Sequence, residues 1–254
     1  MRKLSALALS AVTVGAVLAV GAGPAQAVAN GVPVEEGQYR FATKLTMTDI
    51  PNPDGTTRDS ACSGALVAPE WILTAGHCFH DVDGNPVSGP VPYDTTATLG
   101  RVEAEGSGGV DLAVVEVMQS PVNDISLARL ERPVKRVRPI RVARDAPEAG
   151  EVLRLTGWGA LDAVSTEPAE HLQTGLVTVA TLTDTTIGVR GHEPSPSTSA
   201  CTFDSGAPYF RETAHGAEVV STESTGPDCP HDLEEKTSRV DVAADWIRKT
   251  TKGH

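Results

Sequence analysis

From residue 28 onward the chain is cut into short runs in which apolar and polar side chains alternate with a period of two, each ended by Gly, Pro, Asn or Asp. Arg136-Val137-Arg138-Pro139-Ile140-Arg141-Val142 and Leu176-Val177-Thr178-Val179-Ala180 are two such runs, and both are expected as strands. Helical spacing is confined to the C-terminus, where Val242, Ala243, Trp246 and Ile247 repeat at i, i+4 and Lys249, Lys252 and Gly253 supply a basic ending. This pattern specifies an all-β chain with one terminal helix. Segments 106–109 and 192–199, rich in Gly, Pro and Ser, are expected as surface loops. No internal repeat, low-complexity tract or long linker divides the chain, so any two barrels within it must share an interface.

Arg2 and Lys3 precede an apolar run from Leu4 to Val20, and Ala25-Gln26-Ala27 places small residues where a signal peptidase cuts. A membrane span is the poorer reading, because Gly15, Gly21, Gly23 and Pro24 interrupt the run. The chain is therefore expected to be secreted with residues 1–27 removed as a signal peptide. The remaining 227 of 254 residues fit one large all-β domain or two small barrels. With 21 Lys and Arg against 33 Asp and Glu, the net charge is −12, and loss of Arg2 and Lys3 makes it −14. Such an acidic chain argues against nucleic acid or an anionic membrane as partner. Four cysteines, Cys62, Cys78, Cys201 and Cys229, are an even number in an exported chain and form no C-x-x-C pair. Two disulfides are expected, with three connectivities open.

Hydrolysing an amide with a serine requires a base for the hydroxyl proton, a group that fixes the base's tautomer, and donors for the developing oxyanion. Trp71-Ile72-Leu73-Thr74-Ala75-Gly76-His77-Cys78 sets a histidine after a strand-like stretch. Asn123-Asp124-Ile125-Ser126-Leu127 sets an aspartate at the head of another, and Cys201-Thr202-Phe203-Asp204-Ser205-Gly206-Ala207-Pro208 surrounds a serine with turn formers. Each alone has an ordinary explanation: a surface histidine, a strand cap, a turn. Together, and in the order His, Asp, Ser, they resemble the three signature segments of the chymotrypsin family. An esterase of the α/β-hydrolase class fits poorly, since it orders its triad Ser, Asp, His around Gly-x-Ser-x-Gly.

The resemblance extends to Val28-Ala29-Asn30-Gly31 as a mature start, Thr156-Gly157-Trp158-Gly159 as a Gly-Trp-Gly turn, Val219-Val220-Ser221 as a substrate-pairing strand, and Thr237-Ser238-Arg239-Val240 before the last helix. It implies two packed six-stranded antiparallel β-barrels with a cleft between them. It further implies a monomeric serine endopeptidase that works through an acyl-enzyme, acts on polypeptide substrates, meets protein protease inhibitors, and needs neither metal nor organic cofactor. The roles implied are His77 as base, Asp124 as its orienting carboxylate and Ser205 as nucleophile, with Phe203 and Ser205 giving the oxyanion N–H groups. The disulfides implied are Cys62 with Cys78 and Cys201 with Cys229. Asp204 is expected to pair with the amine of Val28, and because Ala27 abuts Val28, signal removal alone would create that amine. A deprotonated His77 makes activity rise from acid toward neutral and alkaline pH.

Phe203 departs from the pattern, standing where the family nearly always has glycine. Its side chain makes the required backbone conformation costly, and a misaimed donor costs on the order of 10²- to 10³-fold in rate. That opens an alternative, a catalytically impaired homologue acting as a binding protein. The expected pocket floor is Ser199, which implies an apolar or mid-sized substrate side chain. Glu223 and Glu235, aligned with pocket walls, would instead favour a basic one or narrow the opening. Asp81-Val82-Asp83-Gly84-Asn85 has oxygens at alternating positions but lacks the distal glutamate of a calcium loop, and is expected to be an ordinary turn.

Overall fold

The structure is a computed structural model that describes residues 28–252; the expected signal peptide, 1–27, and Gly253 lie outside them. In the first barrel, β1 (Ala42–Pro51), β2 (Thr57–Ala68), β3 (Trp71–Thr74), β4 (Thr95–Leu99), β5 (Val110–Gln119) and β6 (Ser126–Leu130) pair in the cycle β1-β2-β3-β6-β5-β4 and close back on β1. The second is built from β7 (Val152–Gly157), β8 (Gln173–Leu182), β9 (Thr186–Glu193), β10 (Pro208–Thr213), β11 (Gly216–Thr225) and β12 (Glu235–Arg239). Its cycle is β7-β8-β9-β12-β11-β10, the same connectivity again. Closure leaves no open sheet edge in either barrel, which removes a route to aggregation.

Alternation along the strands selects the inner faces. In β1, Leu45 and Met47 are buried while Thr46 between them is exposed; in β8, Val177 and Val179 are the buried pair. The first core runs through Leu45, Ile72, Leu73, Leu99 and Leu127, and continues across the seam into Trp158, Phe210 and Ile247. The second is separate, built on Leu155, Val177, Val189, Tyr209 and Val220, and it includes Val28. At the seam the rings of Phe41 and Phe210 meet edge-on at 5.3 Å. The chain ends in a 3₁₀ turn, Asp241–Ala243, and helix α1, Ala244–Lys252. Of the four apolar positions expected to anchor it, Ala243 and Ile247 are buried, whereas Val242 is 38% exposed.

Leu176–Ala180 lies within β8 as expected, and 106–109 is a loop, while His192 and Glu193 belong to the end of β9. The expected strand over 136–142 does not form. Only Arg141–Val142 pairs with a neighbour, running parallel to β11. Residues 131–145 connect the barrels, and their burial has a period of three, with Val134, Val137, Ile140 and Ala143 inward. The N–H groups of Val134, Ile140 and Ala143 donate to the carbonyls of Pro69, Leu66 and Val219 at 2.7, 2.8 and 3.0 Å. A period of three marks an extended connector with three residues per turn that packs along one side, not a pleated strand. Contrary to the expectation of no internal repeat, residues 132–144 thus hold a short one, a cation followed two residues later by an apolar side chain.

Candidate active site

Strands β3 and β6 are neighbours, with Thr74 opposite Ser126. That register brings the residues just beyond β3 and just before β6 to the same end of the first barrel. His77 sits there on the one-turn 3₁₀ helix Gly76–Cys78, and Asp124 faces it. Its backbone N–H donates to Asp124 Oδ1 at 2.8 Å, and its Nδ1 is 2.8 Å from Asp124 Oδ2. On the other side of the ring, Nε2 is 2.7 Å from Ser205 Oγ, which belongs to the second barrel. Sequence reasoning did not single out the residues that hold this turn. Gln119 Nε2 donates to the carbonyls of Gly76 and Phe79 at 3.0 and 3.2 Å, and Ser126 Oγ to that of Ala75 at 3.0 Å. Asn123 Nδ2 donates to Arg239 O at 2.8 Å and Thr185 O at 3.2 Å, tying the segment beside Asp124 to the second barrel.

Ser224 Oγ donates to Asp124 Oδ2 at 2.7 Å. Burial pushes the Asp124 carboxyl up, but the hydrogen bonds and charge of His77, with the bond from Ser224, outweigh it and hold Asp124 below its usual range. Ser221, expected to line the substrate strand, is fully buried and pairs between Tyr209 and Arg239. It is Ser224, beside the irregularity in β11 between Glu223 and Thr225, whose side chain reaches Asp124.

Ser205 follows a tight turn in which Cys201 is bonded to Cys229, just as Cys62 on β2 is bonded to Cys78 beside His77. Ser63 stitches that turn to the first barrel: its N–H donates to Ser205 O at 2.9 Å, its Oγ donates to Phe203 O at 3.2 Å, and Trp158 N–H donates to its Oγ at 3.0 Å. The N–H groups of Asp204, Gly206 and Ala207 are taken by the carbonyls of Cys201, Glu223 and Asp204. Among the described residues, those of Phe203 and Ser205 donate to no acceptor. Ala160 N–H holds the Thr202 carbonyl at 2.6 Å, so across the same planar peptide the Phe203 N–H points away from Ala160. Phe203 reaches this arrangement at φ +76°, in the left-handed region, so the side chain occupies the backbone conformation a glycine would adopt.

Asp204 is fully buried, accepting from Gly159 N–H at 2.8 Å and Cys201 N–H at 3.0 Å. A Cβ on Gly159 would lie 2.1 Å from its carboxylate, so the Gly-Trp-Gly turn must carry glycine there. Burial is the main cause that pushes this carboxyl up to about 7, with its hydrogen bonds offsetting part of the rise. Among the described residues no hydrogen bond or ion pair joins Val28 to Asp204. The chain runs on from Ala27, which makes the Val28 nitrogen a peptide nitrogen with no charge to offer. Val28 is nonetheless buried in the second barrel at φ +52°, and Ala29 forms a bridge to Ser199 at the base of the loop that carries Asp204.

A cavity of about 470 Å³ opens beside the serine, lined by His77, Ala200, Ser205, Glu223, Ser224 and Glu235 among others, with Asp228 also on its wall and no Lys or Arg. Ser199, the expected floor, is not part of this lining; its backbone pairs with Ala29 and its side chain is buried. Both glutamates expected at the pocket are there, each at 2.7 Å from the Tyr209 hydroxyl. That hydroxyl has one hydrogen for two carboxyl neighbours, so one carboxyl must be protonated. Burial, then the charge of Glu235, push Glu223 well above its usual range. Glu235 Oε1 accepts from Ala200 N–H at 2.5 Å and lies 3.4 Å from His231 Nε2.

Asp81 closes its own turn, Oδ1 accepting the N–H groups of Asp83 and Asn85 at 3.0 and 2.8 Å. Among the described residues no cluster of three or more His, Cys, Asp or Glu is arranged to hold a metal ion, and no helix is long and apolar enough to cross a membrane.

The family model described as Trypsin matches residues 28–247. Glucanase inhibitor protein 3 of Phytophthora infestans is 27% identical over the full length of both chains. Human Serine protease 56 is 32% identical over 65% of this chain and 26% of its own length; human Kallikrein-4 is 30% identical over 39% and 40%. A solved structure described as that of GrC has a TM-score of 0.70 at 22% identity, covering 87% of this chain and 98% of its own.

Proposed function

Because the chain belongs to the trypsin-like serine protease family, we propose that it is a secreted serine endopeptidase, exported after removal of residues 1–27. The unbroken hydrogen-bonded line Asp124–His77–Ser205, with contacts of 2.8 and 2.7 Å, carries this reading. Asp124 keeps a proton on Nδ1 and stabilises the imidazolium; His77 Nε2 takes the Ser205 hydroxyl proton as Oγ attacks the substrate carbonyl. The unspent N–H groups of Phe203 and Ser205 receive the oxyanion. The proton on His77 then passes to the leaving amine, and water, activated by the same base, hydrolyses the acyl-enzyme. Removal of residues up to Ala27 frees the Val28 amine, already docked beside the loop of Asp204, to pair with that carboxylate.

With Glu223, Asp228 and Glu235 on its wall and no Lys or Arg, the cavity favours a lysine or arginine side chain. Reaction with a fluorophosphonate probe tests the whole reading: labelling should be complete in the mature chain and absent from Ser205→Ala and from His77→Ala. No labelling of a folded mature chain would refute it.

A second reading has two observations in its favour. Phe203 is a left-handed phenylalanine beside the nucleophile, and the relative matched over its full length carries the name of an inhibitor. On that reading the chain is a binding protein on a protease scaffold, which the same probe distinguishes.

A further inference from the structure

The three-residue repeat in the connector between the barrels has a second face. While Val134, Val137, Ile140 and Ala143 turn inward, Arg132, Lys135, Arg138, Arg141 and Arg144 stand outward at every third position, and Arg136 adds a sixth cation. No acid interrupts residues 132–144, in a chain whose net charge is −12. At about 3.1 Å per residue, successive rungs are roughly 9 Å apart.

Two depressions flank this ladder. One of about 630 Å³ is lined by Arg40, Arg132, Lys135 and Arg136 over Val110 and Pro133, among others. The other, about 380 Å³, is lined by Arg40, Arg136, Arg138 and Arg141 over Tyr39 and Pro139, among others. They share Arg40 and Arg136 and so lie side by side, a paired groove divided by those two side chains; neither has a carboxylate in its lining, and neither shares a residue with the cavity beside Ser205. Arg40 is fixed by donation to Gly100 O at 3.1 Å and Gly108 O at 3.4 Å. Arg141 pairs with Glu218 at 2.8 Å. Among the described residues, Arg40, Arg132, Lys135, Arg136 and Arg138 have no carboxylate partner within ion-pair distance.

Arginines left unpaired along a groove in an otherwise acidic protein select an anion, and arginine is suited to carboxylates. The apolar floor selects a chain that also carries apolar side chains, which favours a peptide over a polysaccharide. We propose that this groove binds an extended, acidic segment of a protein partner, with Asp or Glu on the cationic ladder and interspersed apolar side chains in the two depressions. Such a segment on a substrate or inhibitor would dock away from the cleft and supply affinity independent of the bond to be cut.

The test uses the mature chain carrying Ser205→Ala and a fluorescein-labelled decapeptide alternating Glu with Leu and Phe, followed by anisotropy. Binding is expected, weakened more than tenfold when salt rises from 50 to 500 mM. It should weaken at least tenfold in Arg136→Ala, at the junction of the depressions, and be lost in Arg132→Ser/Arg136→Ser/Arg138→Ser. These substitutions in the chain with Ser205 intact should leave turnover of a tripeptide substrate unchanged, which shows that the fold is retained. A Gln-for-Glu peptide should bind at least tenfold more weakly, and hexaglutamate should bind more weakly than the alternating peptide. No binding of the alternating peptide, equal binding by the Gln peptide, or binding of heparin but not of the peptide would each overturn the proposal.

Discussion

A free amine at Val28 should remove a pH-dependent defect from the folded chain. With Val28 still joined to Ala27, Asp204 is buried against two N–H groups and its carboxyl is pushed from 3.8 up to about 7. Across that interval the folded form keeps a proton that the unfolded form has lost. Stability is therefore full below pH 3.8 and falls as pH rises toward 7. At about 1.4 kcal/mol per unit, the loss comes to about 4 kcal/mol by pH 8. An ammonium brought against Asp204 favours the carboxylate and cancels most of this. The assay is urea unfolding from pH 4 to pH 8 of two chains carrying Ser205→Ala, one starting at Val28 and one retaining Gln26-Ala27. Glu223, also raised, lowers the stability of both as pH rises, and drops out of the difference. The two should agree at pH 4 and separate by roughly 2 to 4 kcal/mol at pH 8, the chain starting at Val28 being the more stable. Parallel pH profiles would show that the amine does not reach Asp204.

Ser224→Ala should lower kcat roughly tenfold with little change in KM, because it removes a hydrogen bond of about 1.5 kcal/mol from the charged Asp124; steady-state kinetics on a peptide substrate check this. Phe203→Gly should change kcat less than about threefold, since the direction of the N–H is already set by the bond from Ala160 to Thr202. A gain of a hundredfold would mean that the phenylalanine holds the oxyanion site closed. Glu235→Gln should cut kcat/KM for lysine or arginine substrates at least tenfold while leaving leucine substrates within about threefold, measured on a set of peptides differing at the residue before the cut bond.

The barrels, the helix and the signature residues were legible because each has a local signal: alternation, turn formers, and short motifs around His77, Asp124 and Ser205. Other features depend on register rather than on motif. Ser224 carries no motif of its own, and it meets Asp124 because Glu223 beside it is paired with Gly206 and Ala207 in the loop of Ser205. Ser63, Gln119 and Asn123 are polar side chains of ordinary appearance whose work is to bond backbone carbonyls or amides far away in sequence. Residues 131–145 misled for a different reason. Arginine alternates with an apolar residue at 136–139, which suggests a period of two, but Pro139-Ile140 breaks it, and the longer stretch from 132 to 144 reveals the period of three.

The same connectivity used twice gives each barrel a closed core, yet neither barrel holds the hydrogen-bonded line alone. His77 and Asp124 hang from the ends of β3 and β6, and Ser205 comes from the loop before β10. What fixes their separation is a handful of bonds across the seam: Ser63 to the Phe203–Ser205 turn, Asn123 to Thr185 and Arg239, Ser224 to Asp124. The core of the first barrel runs on across the seam into Trp158 and Phe210, and a serine 2.7 Å from His77 cannot absorb a shift there without losing the hydrogen bond. The seam residues therefore set the geometry of the Asp124–His77–Ser205 line through polar bonds rather than apolar packing, which is why they look unremarkable to any reading based on core or motif.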